Sequence, residues 1–150
     1  MPDNSMMEVI RRLKASIKRV ERARRASDRR EAILKQEGLP SWKKLLEWTE
    51  ECCAVFKPAG TLKFTKVSDQ VYTVLFDARR LTVRVTFDES ACTISYVLES
   101  PSQISLSAAA KCNGQFYPQV KDDKLLFADG PAGDNVDIRK VGKAMLLLLE

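Results

Sequence analysis

The N-terminal segment, residues 5–37, contains neither glycine nor proline and is dense in Arg, Lys, Glu, Ala and Leu, which are strong helix formers. A helix of this length would extend about 50 Å, whereas a compact chain of this size has a radius of gyration of about 15 Å. Such a helix is too long to be buried within its own domain, so it must project, pair with a partner, break or fray. We therefore predict a projecting basic helical arm over residues 1–38 and a single globular domain over residues 39–150.

A stop signal follows this arm. Gly38 and Pro40 are typical of a helix C-terminus, so the first helix is predicted to end at about Glu37. From Ser41 to about Phe56, apolar residues recur at helical spacing, and Ser41 is a suitable N-cap. The sequence therefore predicts two N-terminal helices, of which the first is long and basic.

Residues from Thr61 onward alternate between apolar and polar side chains, which is the period of a β-strand with one buried face. Short polar connectors join the successive runs, and this combination predicts hairpins and an antiparallel meander. The predicted inward residues are Leu62 and Phe64; Tyr72, Val74 and Phe76; Leu81, Val83, Val85 and Phe87; and Cys92, Ile94, Tyr96 and Leu98.

The pattern weakens after Pro101. Ile104, Leu106 and Ala108 alternate with serines, which indicates a strand, while a short helix over residues 105–111 is the competing prediction. Beyond them the sequence predicts a hairpin turn at Asn113-Gly114, a second turn over residues 121–124, a strand over residues 125–127, and a final helix capped by Asp134 or Asp137.

Together these elements predict an α+β fold with two N-terminal helices, an antiparallel meander of about six or seven strands, and a C-terminal helix. The strand-rich, helix-terminated order of residues 57–150 resembles that of pleckstrin-homology-like barrels. The final helix carries no Trp and the resemblance brings no sequence motif with it. No family and no function follow from topology alone.

Apolar residues of the arm form a seam typical of coiled coils. Ile10, Leu13, Ile17 and Val20 stand at i, i+3, i+7 and i+10, and Met6 extends the seam backwards. The register then meets polar residues, so the seam covers three heptads at most. Packing on the second helix or the sheet is one interpretation, but the length of the arm favours a partner helix or a second copy of the chain. The predicted partner-helix interface is Met6, Ile10, Leu13, Ile17 and Val20.

The net charge of +5 is confined to the arm. Residues 1–37 hold 11 Lys and Arg against 6 Asp and Glu, whereas the other 113 residues hold 14 of each sign. A basic helix attracts polyanions, although such a stripe is also the ordinary solvated face of a long helix. No aromatic residue precedes Trp42, so nucleic-acid binding would be non-specific contact with phosphates. The candidate contacts are Arg11, Lys18, Arg19, Arg22, Arg25 and Arg29.

Several kinds of catalytic site are missing from the sequence. The chain has no histidine, which removes Ser-His and Cys-His pairs and imidazole acid–base chemistry. It has no phosphate-binding glycine motif, and its acidic cluster does not follow a calcium-loop pattern. We expect no cofactor, no metal and no small-molecule substrate, and we interpret the acids as turn and cap residues. The cluster comprises Asp122, Asp123, Asp129, Asp134 and Asp137.

The cysteines and the hydropathy bear on the compartment. Cys52, Cys53, Cys92 and Cys112 form no C-x-x-C pair, and residues 1–5 lack a signal-like apolar run. We expect buried, reduced thiols and a cytoplasmic or other reducing location. No apolar run is long enough for a membrane span, and the arm lacks the aromatic residues typical of an interfacial membrane helix.

The functional prediction is a non-catalytic interaction or assembly module. It would associate with itself or with another protein through the N-terminal helix. Non-specific nucleic-acid binding through the basic stripe is the alternative. An enzyme that uses paired carboxylates is the third interpretation.

Overall fold

The computed structural model describes residues 3–56, 61–100, 113–130 and 133–150. Within these ranges the chain has an α+β fold, in which a long N-terminal helix precedes a six-stranded antiparallel sheet and a C-terminal helix. The elements are α1 (Asn4–Val55), β1 (Leu62–Ser68), β2 (Val71–Phe76), β3 (Leu81–Asp88), β4 (Thr93–Glu99), β5 (Asn113–Lys121), β6 (Lys124–Ala128) and α2 (Ile138–Leu147).

The N-terminal region is one helix. The prediction of two helices separated at Gly38 and Pro40 is wrong, because α1 runs without a break and contains Pro40. A proline inside a helix removes one backbone hydrogen bond and destabilises the helix. Packing outweighs this local signal, since Gly38, Trp42 and Leu45 are all buried around it. Gly38 is needed for close contact rather than for a helix end, because a Cβ at this position would lie 3.0 Å from Cys92 Sγ.

The sheet is a meander in the order β1-β2-β3-β4-β5-β6, with every neighbouring pair antiparallel. The predicted inward faces of β2, β3 and β4 are confirmed, because their alternate apolar residues are buried or half-buried. The opposite face carries exposed polar side chains such as Arg84, whose Nε lies 3.3 Å from Glu99 Oε1. One face of the sheet therefore carries the core and the other is solvated.

The hairpin turn predicted at Asn113-Gly114 is wrong. Both residues belong to β5, where Gly114 is opposite Tyr96 and Asn113 is opposite Val97. A Cβ at residue 114 would lie 2.5 Å from the Tyr96 hydroxyl oxygen, so the glycine accommodates a neighbouring ring. The strand predicted from Ile104 to Ala108, and the competing helix over residues 105–111, lie outside the described residues.

Two other local predictions are confirmed. The turn between β5 and β6 contains Asp122 and Asp123, whose φ angles of 51° and 59° lie in the left-handed region that Asp tolerates better than most residues. Asp137 is the N-cap of α2, because its carboxylate accepts a hydrogen bond from the Lys140 backbone N–H at 3.0 Å. These acids have structural roles that their positions in the sequence indicated.

The second half of α1 packs on the inward face of the sheet. The Trp42 ring stacks on Phe87 with the centroids 5.3 Å apart, and its Nε1–H donates to the Asp69 carbonyl at 2.7 Å. Helix α2 covers the neighbouring part of the core, where the Tyr72 hydroxyl lies 3.8 Å from Met145 Sδ. The sheet, α1 and α2 therefore share one hydrophobic core.

Candidate functional site

Helix α1 consists of two segments in different environments. We call residues 4–28 the free segment and residues 29–55 the docked segment. Contact with the sheet domain begins at Arg29, which forms an ion pair with Asp123, and at Arg30, whose guanidinium donates to the Pro118 carbonyl at 3.3 Å. Two turns further on, Glu37 Oε2 accepts a hydrogen bond of 2.8 Å from the Leu125 backbone N–H. The docked segment is therefore tied to β5 and β6 at its start.

The free segment extends away from these contacts. All its residues except Ser16 are exposed. Among the described residues, no hydrogen bond or ion pair joins the free segment to the sheet or to α2, and its ion pair between Arg12 and Glu8 is internal to the helix. Asp3 caps the start of the helix, where its carboxylate accepts from the Met6 N–H at 2.7 Å. At 1.5 Å per residue the free segment extends about 37 Å.

The five residues of the predicted partner-helix interface all lie in the free segment. We call them the apolar stripe. Their exposed fractions run from 39% for Ile10 to 64% for Val20, and their spacing places them on one face of the helix. An isolated helix gains little stability from propensity alone, and a contiguous exposed apolar surface marks an interaction site. The stripe comprises Met6, Ile10, Leu13, Ile17 and Val20.

The stripe lies on the same side of α1 as the sheet. Val20 and Leu34 are two heptads apart, so they share a face of a continuous helix, with a drift of about 20° per heptad. Leu34 packs against the core, and Gly38 and Trp42 continue that face into the buried region. The stripe therefore faces the side that the sheet domain occupies further along the helix.

The candidate polyanion contacts lie on the other side of the helix. If Ile10 and Leu13 occupy heptad positions a and d, the basic residues occupy positions b, c and f, which face away from the seam. Arg29 differs from the rest of the set because it is paired with Asp123. All six side chains belong to exposed residues, namely Arg11, Lys18, Arg19, Arg22, Arg25 and Arg29.

The described thiols are part of the fold. Cys53 and Cys92 are buried and Cys52 is half-buried, whereas Cys112 lies outside the described residues. Burial raises the pKa of the Cys53 thiol to about 11, and burial also raises the pKa of Cys92 despite the nearby Arg30 guanidinium. These thiols are protonated at neutral pH and are poor nucleophiles. Within the described ranges, no group of three or more Cys, Asp or Glu side chains could hold a metal ion.

Two concave surfaces of the sheet domain were not predicted from the sequence. A cavity of about 320 Å³ between α2 and the β4 and β5 residues Tyr96 and Phe116 has Asp129, Asp134 and Lys140 in its lining. A nearly apolar groove of about 530 Å³ lies where α1 and α2 end, and its walls include Phe56, Phe76 and Leu147. The sequence signal for the groove was the run of leucines at residues 146–149, of which Leu149 is buried and Leu147 stays exposed.

Comparisons with known proteins assign no family. No family model, no curated protein and no solved structure matches this chain. In the part of the chain that the structure describes, neither helix combines the length and the hydrophobicity needed to cross a lipid bilayer.

Proposed function

We propose that this protein is a non-catalytic assembly module that associates with another helix, from a second copy or from a different protein, through the free segment of α1. The observation that carries the proposal is the apolar stripe, which is exposed on a helix segment that has no hydrogen bond or ion pair to the described sheet domain. Burial of apolar surface is the dominant favourable contribution to most protein–protein association. A partner helix on the stripe would supply this burial.

The buried thiols and the composition support a role without catalysis. The chain contains no histidine, and Cys53 and Cys92 are held as protonated thiols within the core. Paired carboxylates remain the catalytic groups that the composition offers. The cavity with Asp129 and Asp134 in its lining is where such chemistry would be sought, and Lys140 lines the same cavity. The proposed function assigns no reaction to these three side chains.

The test of assembly is the solution mass of the full chain and of the double variant Leu13→Asp with Ile17→Asp. By light scattering, the wild type should exceed the single-chain mass of 16.9 kDa, and the variant should fall to it because two charges would be buried in the seam. The matched control is Ala15→Asp with Arg22→Asp, which places two acids on the outward face and should retain the assembly. Equal masses for the wild type and the stripe variant would overturn association between copies of this chain, which is the form of assembly that this measurement tests.

The second candidate function is non-specific binding to nucleic acid, which is favoured by the exposed basic face opposite the stripe. Neutralisation of several phosphates by Lys and Arg releases counterions, so affinity should fall steeply with added salt. The variant Lys18→Gln, Arg22→Gln and Arg25→Gln should weaken binding to duplex DNA and to RNA and reduce the salt dependence. Failure of the wild type to bind either polymer at low ionic strength would eliminate this candidate.

A further inference from the structure

We propose that the apolar stripe binds the stripe of a second copy of this chain in antiparallel orientation, with the two-fold axis beside Ala15. This inference rests on the proposed function and names the partner.

Four of the five stripe residues are spaced symmetrically about residue 15. They stand at residues 10, 13, 17 and 20, so reversing the helix about residue 15 superimposes this pattern on itself, whereas Met6 would lie opposite Arg24. In an antiparallel coiled coil, position a of one helix is opposite position d of the other. Ile10 would therefore contact Val20 of the second copy, and Leu13 would contact its Ile17. Every apolar side chain of this central set meets an apolar side chain.

The free segment has the length that this arrangement requires. With the axis beside residue 15, residue 4 of the second copy lies opposite residue 26. The second helix therefore ends before Arg29, where contact with β5 and β6 begins. The free segment and the symmetric apolar pattern have nearly the same centre. An antiparallel second copy can therefore cover the apolar stripe without reaching the sheet domain.

A parallel arrangement conflicts with the position of the sheet. The stripe and the buried face around Gly38 and Trp42 lie on the same side of α1. A parallel second helix would run along that side past Leu34 and Gly38, into the volume that Phe87 and Cys92 of the sheet domain occupy. The antiparallel arrangement avoids this conflict because the two sheet domains lie at opposite ends of the paired helices.

The charges are compatible with a second copy. The basic residues at the outward heptad positions do not face the seam. One row beside the seam carries Lys14, Glu21 and Asp28, which are of mixed sign, and the other carries the small residues Ser16 and Ala23, which permit close approach. Lys14 and its symmetry mate meet near the axis and form the like-charge contact of the arrangement. Added salt should therefore strengthen this dimer.

Distances between spin labels distinguish the two orientations. Single cysteines are introduced as Asn4→Cys or Ala15→Cys in the full chain that carries Cys52→Ser and Cys112→Ser, with the buried Cys53 and Cys92 retained. In the antiparallel dimer the two labels at residue 4 should be separated by about 33 Å along the axis, since 22 residues of helix lie between residues 4 and 26. The two labels at residue 15 should be level with each other and separated only across the width of the helix pair, so their distance should be the shorter one.

The outcomes separate this inference from the proposed function. A long distance at residue 4 and a short one at residue 15 support the antiparallel second copy, and the cysteine-substituted chain without an added label site serves as the control for background signal. Short distances at both sites, in a dimer that Leu13→Asp with Ile17→Asp dissociates, would overturn the antiparallel inference and leave the assembly function in place. A wild type of single-chain mass that this substitution does not alter would overturn both this inference and any association between copies through the stripe.

Discussion

The two segments of α1 belong to one helix and carry the same kind of apolar periodicity, yet their environments are opposite. In the docked segment that periodicity is satisfied by the protein's own sheet, with Trp42 1% exposed and Leu45 fully buried. In the free segment the corresponding face is the exposed apolar stripe. The difference shows that a helical pattern specifies a face to be covered without specifying what covers it. The contacts of Arg29 and Arg30 mark where α1 begins to pack on the sheet domain.

The largest expected difference between the two segments is in the free energy of unfolding after one apolar side chain is truncated in each. Trp42→Ala removes the ring stacked on Phe87 and the donor to the Asp69 carbonyl, so it should lower the free energy of unfolding by about 3–5 kcal/mol. Leu13→Ala, measured by urea denaturation at a concentration where the chain is single, should change it by less than about 0.5 kcal/mol. Similar losses from both substitutions would show that the free segment packs on its own domain.

A smaller change in the free energy of unfolding is expected for Gly38→Ala, and its sign shows whether this face of the helix is packed. On an exposed helix, replacing glycine with alanine stabilises by about 1 kcal/mol. In the docked segment the added methyl group would lie 3.0 Å from Cys92 Sγ, so Gly38→Ala should instead destabilise by about 1–3 kcal/mol. The measurement is again urea denaturation, with Cys92→Ala as a second-site change that should relieve part of the loss. Stabilisation by Gly38→Ala would mean that this face of the helix is open.

The smallest expected effect concerns Lys14 at the proposed dimer axis. Lys14→Ala removes a like-charge contact and should tighten dimerisation by a few-fold, in line with surface charge effects of up to about 1 kcal/mol. The tightening should shrink as salt screens the charges. Analytical ultracentrifugation over a salt series measures both effects, with Lys18→Ala on the outward face as the matched control. Weaker dimerisation of the Lys14 variant would contradict the proposed arrangement.

Much of the sheet could be predicted from the sequence, because alternation of apolar and polar residues is a local signal that the buried face of each strand must satisfy. The exposed stripe followed in the same way from the spacing of Ile10, Leu13, Ile17 and Val20. The alternation within a strand and the spacing within the helix are each contained in a single element. Neither depends on which elements pack together in the fold.

Two predictions failed at glycines whose role depends on distant contacts. Gly38 was interpreted as a helix end and Gly114 as a turn, but the first accommodates Cys92 and the second accommodates the Tyr96 ring. The residue at which the docked segment starts could not be predicted either, because the ion pair of Arg29 with Asp123 joins residues 94 positions apart. Such contacts are set by the assembled fold, and a single sequence contains no local sign of them.

The most direct test of the central claim compares the two segments in the same molecule by hydrogen exchange. Amide protection should be measured residue by residue along α1 over a range of protein concentrations. We expect protection of residues 6–24 to rise with concentration and to be lost in the Leu13→Asp, Ile17→Asp variant, while protection of residues 34–55 stays constant. Protection of residues 6–24 that depends neither on concentration nor on the stripe would contradict the claim that this segment associates with a partner.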